Sequence, residues 1–206
     1  MDPRQFPTKG NLMLAKNSLG LAKQGYDLMD KKRNVLLKEL MALIDEAKEI
    51  QEQIDSTFTK AYACLQRANI EHGISRVQQL AYTVPIEDSI QIQTRSIMGT
   101  EIPRVKYDEK QNDLTYAFST TSESIDMVRE AFREVKDLTI KLSEVENSAY
   151  RLAANIKKTQ KRANALHNIT IPMYTNLVKN ISDALEEKDR EEFTRLKVIK
   201  NMKGAS

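Results

Sequence analysis

The sequence is poor in the residues that form turns and compact cores. Its 206 residues include only 6 glycines and 5 prolines, and its aromatic residues are 7 tyrosines and 5 phenylalanines, with no tryptophan. A chain with so few turn residues is either disordered or built from very long helices. Because 40% of the residues are apolar and these recur at regular intervals, the composition favours long helices.

Other absences exclude whole classes of protein. The single cysteine, Cys64, cannot form an internal disulfide, which suits a reducing compartment. No run of about 18 apolar residues is present, so no transmembrane helix is expected, and the first residues lack the apolar core of a secretory signal. No glycine-rich phosphate loop occurs. His72 and His167 have no cysteine or carboxylate at metal-ligand spacing, so we predict no metal, cofactor or catalytic site.

Apolar residues recur at alternating steps of three and four in the first third of the chain. The repeat runs from Leu12 to Ala68 over 17 positions, of which 15 are apolar, and Arg33 is its one charged residue. A 3.5-residue repeat sustained over this length is typical of a left-handed coiled coil. Thr8 just before the repeat and Gly73 just after it are start and stop signals of a helix.

A second repeat of the same kind fills the C-terminal half. It runs from Val128 to Ala184 over 17 positions, 14 of them apolar, and passes through Met173 and Asn180 near its end. Pro172 lies within it. Because proline lacks an N–H and its ring crowds the carbonyl four residues earlier, a bend is expected there.

Two helices with matching seams are expected to pack against each other. We predict a mainly α fold in which two very long helices form an antiparallel left-handed coiled coil, with a small β-hairpin insert at the bend. The helices are assigned to residues 1–76 and 121–206, and the insert to residues 77–120. Matching the two repeats predicts that Leu40 lies opposite residues near about 160 and Arg33 opposite residues near about 167.

The middle of the chain changes to a period of two. Polar and apolar residues alternate over residues 89–97, Met98 and Gly99 offer a turn, and a second alternating stretch covers residues 101–107. The pattern predicts a β-hairpin over about 88–107. A disordered loop is the alternative interpretation.

Charge separates the two ends of the chain from its middle. Residues 1–76 carry 12 basic and 10 acidic groups, residues 151–206 carry 12 and 6, and residues 77–127 carry 4 and 8. An antiparallel pair therefore brings two basic ends together. The interleaved acids and a net charge of only +3 argue against nucleic-acid binding. The narrow apolar seam argues against a helix that lies on a membrane surface.

Several stretches of the chain form a recognisable set. They are Pro7–Leu12, Lys31–Leu36, Lys158–Leu166, Ile171–Pro172 and Glu186–Lys197. With them the chain resembles the D subunit of the V-type and A-type rotary ATPases over essentially its whole length. It departs from the family pattern at His167 and Asn168, where Glu-Tyr is usual, and at Lys161, where arginine is common. The longer C-terminal extension of eukaryotic members is missing, so a bacterial or archaeal source is expected.

The resemblance implies a rotor shaft, the central stalk, without an active site of its own. The termini of the D subunit lie inside the hexamer of catalytic and non-catalytic nucleotide-binding subunits. Its other end lies, with the F subunit of the central stalk alongside, in the funnel-shaped subunit on the membrane ring. By rotating, the shaft couples ATP hydrolysis or synthesis to the transport of protons or sodium ions. The implied location is peripheral, at the cytoplasmic face of the membrane, without direct membrane insertion.

Under this resemblance the basic tip supplies the candidate contacts with the hexamer. The candidates are Lys9, Met13, Lys16, Lys23, Lys188, Arg195 and Met202, and Pro172 is the candidate shaft bend. Lys9 and Lys16 lie on one flank of the first helix, and the predicted register places Lys188 between them. The alternative functions are a generic coiled-coil scaffold or chaperone-like adaptor, and a basic helical nucleic-acid binder.

Overall fold

The computed structural model describes residues 6–107, 116–117 and 121–204. In chain order the elements are α1 (Lys9–His72), α2 (Ile74–Ala81), β1 (Ile90–Ile97), β2 (Thr100–Tyr107), α3 (Glu123–Ala165), a π-helical turn (Leu166–Thr170) and α4 (Ile171–Gly204). This arrangement confirms the predicted mainly α fold, with a long helical stretch at each end and a small antiparallel hairpin between them. The short helix α2 was not predicted.

Helix α1 begins and ends at the residues that the sequence signals indicated. The backbone N–H of Asn11 donates to the hydroxyl oxygen of Thr8 at 3.2 Å, so Thr8 is the N-cap. At the other end, the N–H of Gly73 donates to the carbonyl of Asn69 at 3.0 Å. Gly73 has a φ of 80° and a ψ of 145°, a combination that glycine adopts without steric cost because it has no Cβ.

The chain divides into two compact units, and each takes residues from both long helical stretches. Unit 1 comprises Met1–Asn34 and Lys157–Ser206, and unit 2 comprises Val35–Ile156. The sequence-based segments 1–76, 77–120 and 121–206 follow the order of the chain rather than this packing, and their boundaries stay a prediction.

In unit 1 the first part of α1 runs antiparallel to the C-terminal helical stretch. The ring centroids of Tyr26 and His167 are 5.1 Å apart, and seven residues later Arg33 Nη1 donates to Gln160 Oε1 at 2.8 Å. The predicted register, which placed Arg33 opposite residues near 167, is therefore wrong by one heptad. A shift of seven residues presents the same seam positions to each other, so the repeat determines the seam but not the register.

The first predicted seam is confirmed along α1. All 17 of its positions, from Leu12 to Ala68, are buried or half-buried. Its one charged residue is satisfied, because Arg33 also forms an ion pair with Asp30 at 2.5 Å. A half-buried guanidinium with a carboxylate and an amide oxygen as partners avoids the cost of an unpaired charge.

The π-helical turn changes which residues of α4 are buried. The N–H of Ile171 donates to the carbonyl of Leu166, five residues earlier, so this turn holds one residue more than an α-helical turn. The predicted seam residue Met173 is consequently 52% exposed, whereas Ile181 is only 2% exposed. The second predicted seam is correct as far as the π-helical turn and one residue out of phase after it, where Asn180 is also exposed.

Pro172 explains why the wider turn occurs at this place. In a regular α-helix the proline ring would crowd the carbonyl of Asn168, and no N–H would be available to bond that carbonyl. Asn168 lies inside the π-helical turn, where the extra residue relieves the crowding. π-bulges bend helices, but the bend itself stays a prediction.

The core of unit 2 joins the hairpin to the long helices. Leu36 and Leu152 are fully buried at 0% exposure, and Ile102 of β2 packs with them at 7%. The half-buried residues around this cluster are Leu40, Leu43, Ile97 and Ile156. An isolated two-stranded hairpin is marginally stable in water, so these helix residues supply the apolar surface that the hairpin needs.

The hairpin closes through a two-residue turn. Strands β1 and β2 pair antiparallel from Ile90 opposite Tyr107 to Ile97 opposite Thr100. The turn residues Met98 and Gly99 have φ values of 49° and 75°. Positive φ at both positions characterises the type I′ turn, whose twist matches that of the paired strands. The predicted hairpin over residues 88–107 is confirmed.

Glu87 anchors the segment that leads into the hairpin. Its Oε2 accepts a hydrogen bond from Lys136 Nζ at 3.0 Å and another from the Tyr107 hydroxyl at 3.2 Å. Its Oε1 accepts from the Ser89 backbone N–H at 3.1 Å and from the Ser89 hydroxyl. The Ser89 hydroxyl, followed by Lys136, lowers the pKa of Glu87 from 4.5 to about 2.

We expect the Glu87 anchor to weaken as the pH falls through the range from 4.5 to about 2. Because the folded-state pKa lies below the ordinary value, the unfolded chain takes up the proton more readily. The stabilisation is therefore fully present above pH 4.5 and lost as the pH falls through about 2. The measurement is the protection factor of the Ser89 amide against hydrogen exchange as a function of pH. A Glu87→Gln variant cannot titrate, so a wild-type profile identical to that of the variant would contradict the prediction.

Candidate functional site

The structure leaves all the predicted contact residues exposed but does not bring them into one cluster. Four lie on α1 and three near the end of α4; they are Lys9, Met13, Lys16, Lys23, Lys188, Arg195 and Met202. Extending the Tyr26–His167 pairing by heptads places Lys9 level with about residue 185. Lys188 therefore lies beyond the start of α1 and not between Lys9 and Lys16, which corrects the prediction by one heptad.

The end of α4 is exposed on all its sides. Every residue from 186 to 203 is exposed, and the last buried residue of α4 is Ile181. Three large apolar side chains in this segment, Phe193, Leu196 and Ile199, are 70%, 64% and 50% exposed. At 100° per residue they lie within an arc of about 120°, and we call them the α4 apolar face. Contiguous exposed apolar surface marks a site of interaction.

Charged residues of this segment pair with each other along the helix. Arg190 lies 3.8 Å from Glu186, and Arg195 lies 3.9 Å from Glu191. Each pair is four residues apart, and exposed pairs of this kind contribute only about 0.3–0.5 kcal/mol to a helix. The positive charge of Arg195 is thus partly balanced by its own helix, whereas the α4 apolar face is covered by no described residue.

A second exposed apolar series runs along α1. Leu14, Leu21 and Leu28 are all exposed and follow each other at intervals of seven residues, so they form one line along the helix. We call this line the outer stripe. It lies about 100° around the helix from the seam residues Ala15 and Ala22, which are the next residues along the chain and are buried.

Sequence reasoning missed both apolar surfaces. The outer stripe has the same seven-residue period as the seam and lies one residue before the seam positions 15, 22 and 29. The α4 apolar face is visible in the sequence as three large apolar residues at intervals of three. The outer stripe could have been found by testing every heptad position for apolar residues, and the α4 apolar face by testing for a spacing of three.

The surroundings of His72 and Cys64 are those of residues with a structural role. His72 Nε2 lies 2.6 Å from the Ser122 hydroxyl, where the end of α1 meets the start of α3, and Cys64 is half-buried. Within residues 6–107, 116–117 and 121–204, no three His, Cys, Asp or Glu side chains are grouped so that they could hold a metal ion. In the same ranges no helix is long and apolar enough to cross a membrane.

Comparison with known proteins assigns the chain to a family. A family model described as the D subunit of ATP synthase matches residues 11–201. The D subunit of the V-type ATP synthase of Thermotoga neapolitana is 42% identical over 194 residues, which are 94% of this chain and 96% of that protein. The D subunit of the A-type ATP synthase of Pyrococcus abyssi is 36% identical over 197 residues, which are 94% of this chain and 92% of that protein. The chain belongs to the D-subunit family of ATP synthases.

Proposed function

We propose that this chain is the central rotor shaft of a V/A-type rotary ATPase. In this role it couples ATP hydrolysis or synthesis in a nucleotide-binding hexamer to proton or sodium transport by a membrane ring. The observation that carries the proposal is the exposed apolar surface of unit 1, on helices whose mutual seam is already filled. Because the chain belongs to the D-subunit family of ATP synthases, the partners that would cover these surfaces are other subunits of such a complex.

The mechanical properties of unit 1 suit rotation inside a ring. A shaft must transmit torque without unwinding. The seven predicted seam positions of α1 that belong to unit 1, from Leu12 to Arg33, are all buried or half-buried, and such a seam resists unwinding. A shaft must also turn past successive subunits, so its contacts must be shallow. The outer stripe and the α4 apolar face are shallow contacts, because both are formed by side chains on a convex helix surface.

Unit 1 is also asymmetric, as a rotor must be. Its α1 side is a regular α-helix, whereas the antiparallel side contains the π-helical turn and Pro172. The catalytic pockets of a surrounding hexamer therefore meet different surfaces at any moment, and rotation exchanges those surfaces among the pockets. We infer that the chain has no active site of its own and acts by changing the conformation of its neighbours.

The proposal assigns partners to both units. The catalytic and non-catalytic nucleotide-binding subunits contact unit 1. The F subunit of the central stalk and the funnel-shaped subunit on the membrane ring contact unit 2. The chain is then a peripheral protein at the cytoplasmic face of a membrane. The candidate contact residues in unit 1 are the two apolar surfaces and the seven residues predicted from the sequence, which are Lys9, Met13, Lys16, Lys23, Lys188, Arg195 and Met202.

The test is binding of the chain to the purified hexamer and ATP-driven rotation of the assembled complex. A variant with serine at Phe193, Leu196 and Ile199 is expected to bind at least about 100-fold more weakly, because burying each side chain is worth roughly 1.5–3 kcal/mol. The matched control has serine at Glu187, Thr194 and Asn201, on the opposite side of the same helix segment. It should bind like the wild type.

A second arm of this experiment tests the basic residues. Replacing Lys9, Lys16, Lys188 and Arg195 with glutamine should slow association and flatten its dependence on salt, because exposed charges steer a partner and are screened within about 8–10 Å at physiological ionic strength. If the apolar variant and its control bind equally well, the exposed apolar end of α4 is not a contact with the hexamer. If complexes assembled with the apolar variant and with its control also rotate equally well, the observation that supports the rotor shaft is lost.

A further inference from the structure

The two edges of the hairpin differ. Among the described residues, side chains of α3 cover the edge formed by β2, and none covers the edge formed by β1. Three side chains of α3, spaced four and three residues apart, bond to the backbone of alternate residues of β2. Glu144 Oε2 accepts from Val105 N–H at 2.9 Å, Ser148 Oγ donates to the Pro103 carbonyl at 3.2 Å, and Arg151 Nη1 donates to the Glu101 carbonyl at 3.4 Å.

These bonds show which backbone groups of β2 point away from the hairpin, and the strand register then gives those of β1. In an antiparallel pair both backbone groups of a residue point to the same side, and alternate residues point to opposite sides. Residues 101, 103 and 105 point outward, so their partners Ser96, Thr94 and Ile92 also point outward on the other side. Pro103 fits this pattern, since its missing N–H removes no bond to β1.

The outer edge of β1 lacks the devices that usually protect an open edge. Natural edge strands avoid pairing with other chains through proline, bulges, shortness or several charges. Strand β1 is eight residues long, pairs without a bulge and contains no proline or glycine and only one charge, Arg95. In the described part of the chain, no residue bonds to the outward N–H and carbonyl groups of Ile92, Thr94 and Ser96.

The side chains beside this edge indicate the chemistry of a partner. Residues that face each other across the strands project from the same face, so Arg95, Arg104 and Lys106 share one face of the hairpin. All three are exposed, and no carboxylate belongs to that face. The other face of β1 presents Ile92, which is 72% exposed. A complementary strand would therefore alternate acidic and apolar residues.

We propose that the free edge of β1 binds an extended segment with alternating acidic and apolar residues as a third strand of the sheet. The segment comes from another subunit of the assembly, so this inference rests on the proposed function. Backbone hydrogen bonds to Ile92, Thr94 and Ser96 supply the pairing, and carboxylates beside Arg95 set its orientation.

The test is hydrogen exchange of single amides in the free chain and in the chain assembled with the other soluble subunits. The amides of Ile92, Thr94 and Ser96 are expected to exchange at least about tenfold more slowly in the complex. Gln91 and Gln93 point toward β2 and serve as the internal reference. An assembled complex in which the three amides remain as fast as in the free chain overturns the inference alone. Failure of the chain to assemble overturns the proposed function and this inference with it.

Variants separate strand addition from other contacts. Thr94→Pro removes one outward N–H but no bond to β2, so it should abolish the added protection of Ile92 and Ser96 and weaken binding by about tenfold or more. The control Thr94→Val retains the N–H and should behave like the wild type. Arg95→Glu leaves the backbone intact and should also reduce protection, which keeps the test valid if the proline variant misfolds. Wild-type protection in both variants, or protection of the free chain that rises with its own concentration, overturns the inference.

Discussion

A Leu152→Ala variant is expected to lose about 2–5 kcal/mol of free energy of unfolding. Leu152 is fully buried and packs in one cluster with Leu36 of α1 and Ile102 of β2. Removing its side chain leaves a cavity where three elements meet, and the loss combines the transfer term with the cavity term. Because Ile102 loses a neighbour, amides of the hairpin should also exchange faster than in the wild type.

Urea unfolding followed by circular dichroism measures this loss, and hydrogen exchange locates it. The matched control is Tyr150→Ala, two residues away on the same helix, where the side chain is 77% exposed and the expected change is within about 0.5 kcal/mol. If Leu152→Ala unfolds at the same urea concentration as the control, the cluster of Leu36, Ile102 and Leu152 is not the core of unit 2.

The seam and the hairpin could be predicted because each follows from a local period. A period of 3.5 places one side of a helix against a partner, and a period of two places one face of a strand against a core. Neither needs information from a distant part of the chain. The seam of α1 from Leu12 to Ala68 and the turn at Met98 and Gly99 are therefore visible in the sequence.

The register could not be predicted for the same physical reason. Sliding one helix by a heptad returns every seam residue to a seam position. The apolar pattern therefore hardly distinguishes two registers that differ by seven residues. Polar pairs decide between the alternatives, and here Arg33 meets Gln160 instead of residues near 167. The position of Lys188 beyond the start of α1 follows from this shift.

Sequence reasoning found the basic residues of the candidate site but missed its apolar residues, and the reason is different. Basic residues such as Lys9 and Lys188 stand out by charge, but exposed leucines such as Leu21 have the same composition and period as a buried seam. Whether an apolar series is covered depends on the side of the helix on which it lies and on how far the partner helix extends. Residues 186–203 lie beyond that extent, so Phe193 and Leu196 are exposed on a helix whose earlier residue Ile181 is buried.

The phase of α4 depends on the π-helical turn, and this leads to the second large expected effect. Beyond the turn, Ile181 takes the place that an unbroken repeat assigns to Asn180. Deleting one residue of the turn, Asn168, should restore a regular α-helix with Ile181 still in the seam. Pro172 would then crowd a carbonyl in a regular helix interior, at a cost of about 3 kcal/mol or more. We therefore expect the deletion alone to be strongly destabilising.

Pro172→Ala removes the cause of that cost, and the two changes together form a double-mutant cycle. Added to the Asn168 deletion, it should recover most of the lost free energy of unfolding, because alanine fits the interior of a helix. In the otherwise unchanged chain, Pro172→Ala should have a smaller effect. The interaction energy between the two changes, obtained from urea unfolding of all four chains, is the quantity that tests the idea.

Deletion of Lys179 provides the matched control. Like Asn168 it is exposed, but it lies in a regular α-helical stretch with no extra residue to absorb the loss. Its deletion rotates Ile181 by about 100° away from the seam, and Pro172→Ala cannot compensate for that rotation. If the Asn168 deletion combined with Pro172→Ala stays as unstable as the Lys179 deletion, the π-helical turn does not set the phase of α4. If stability recovers, the turn is the local consequence of placing a proline within a continuous seam.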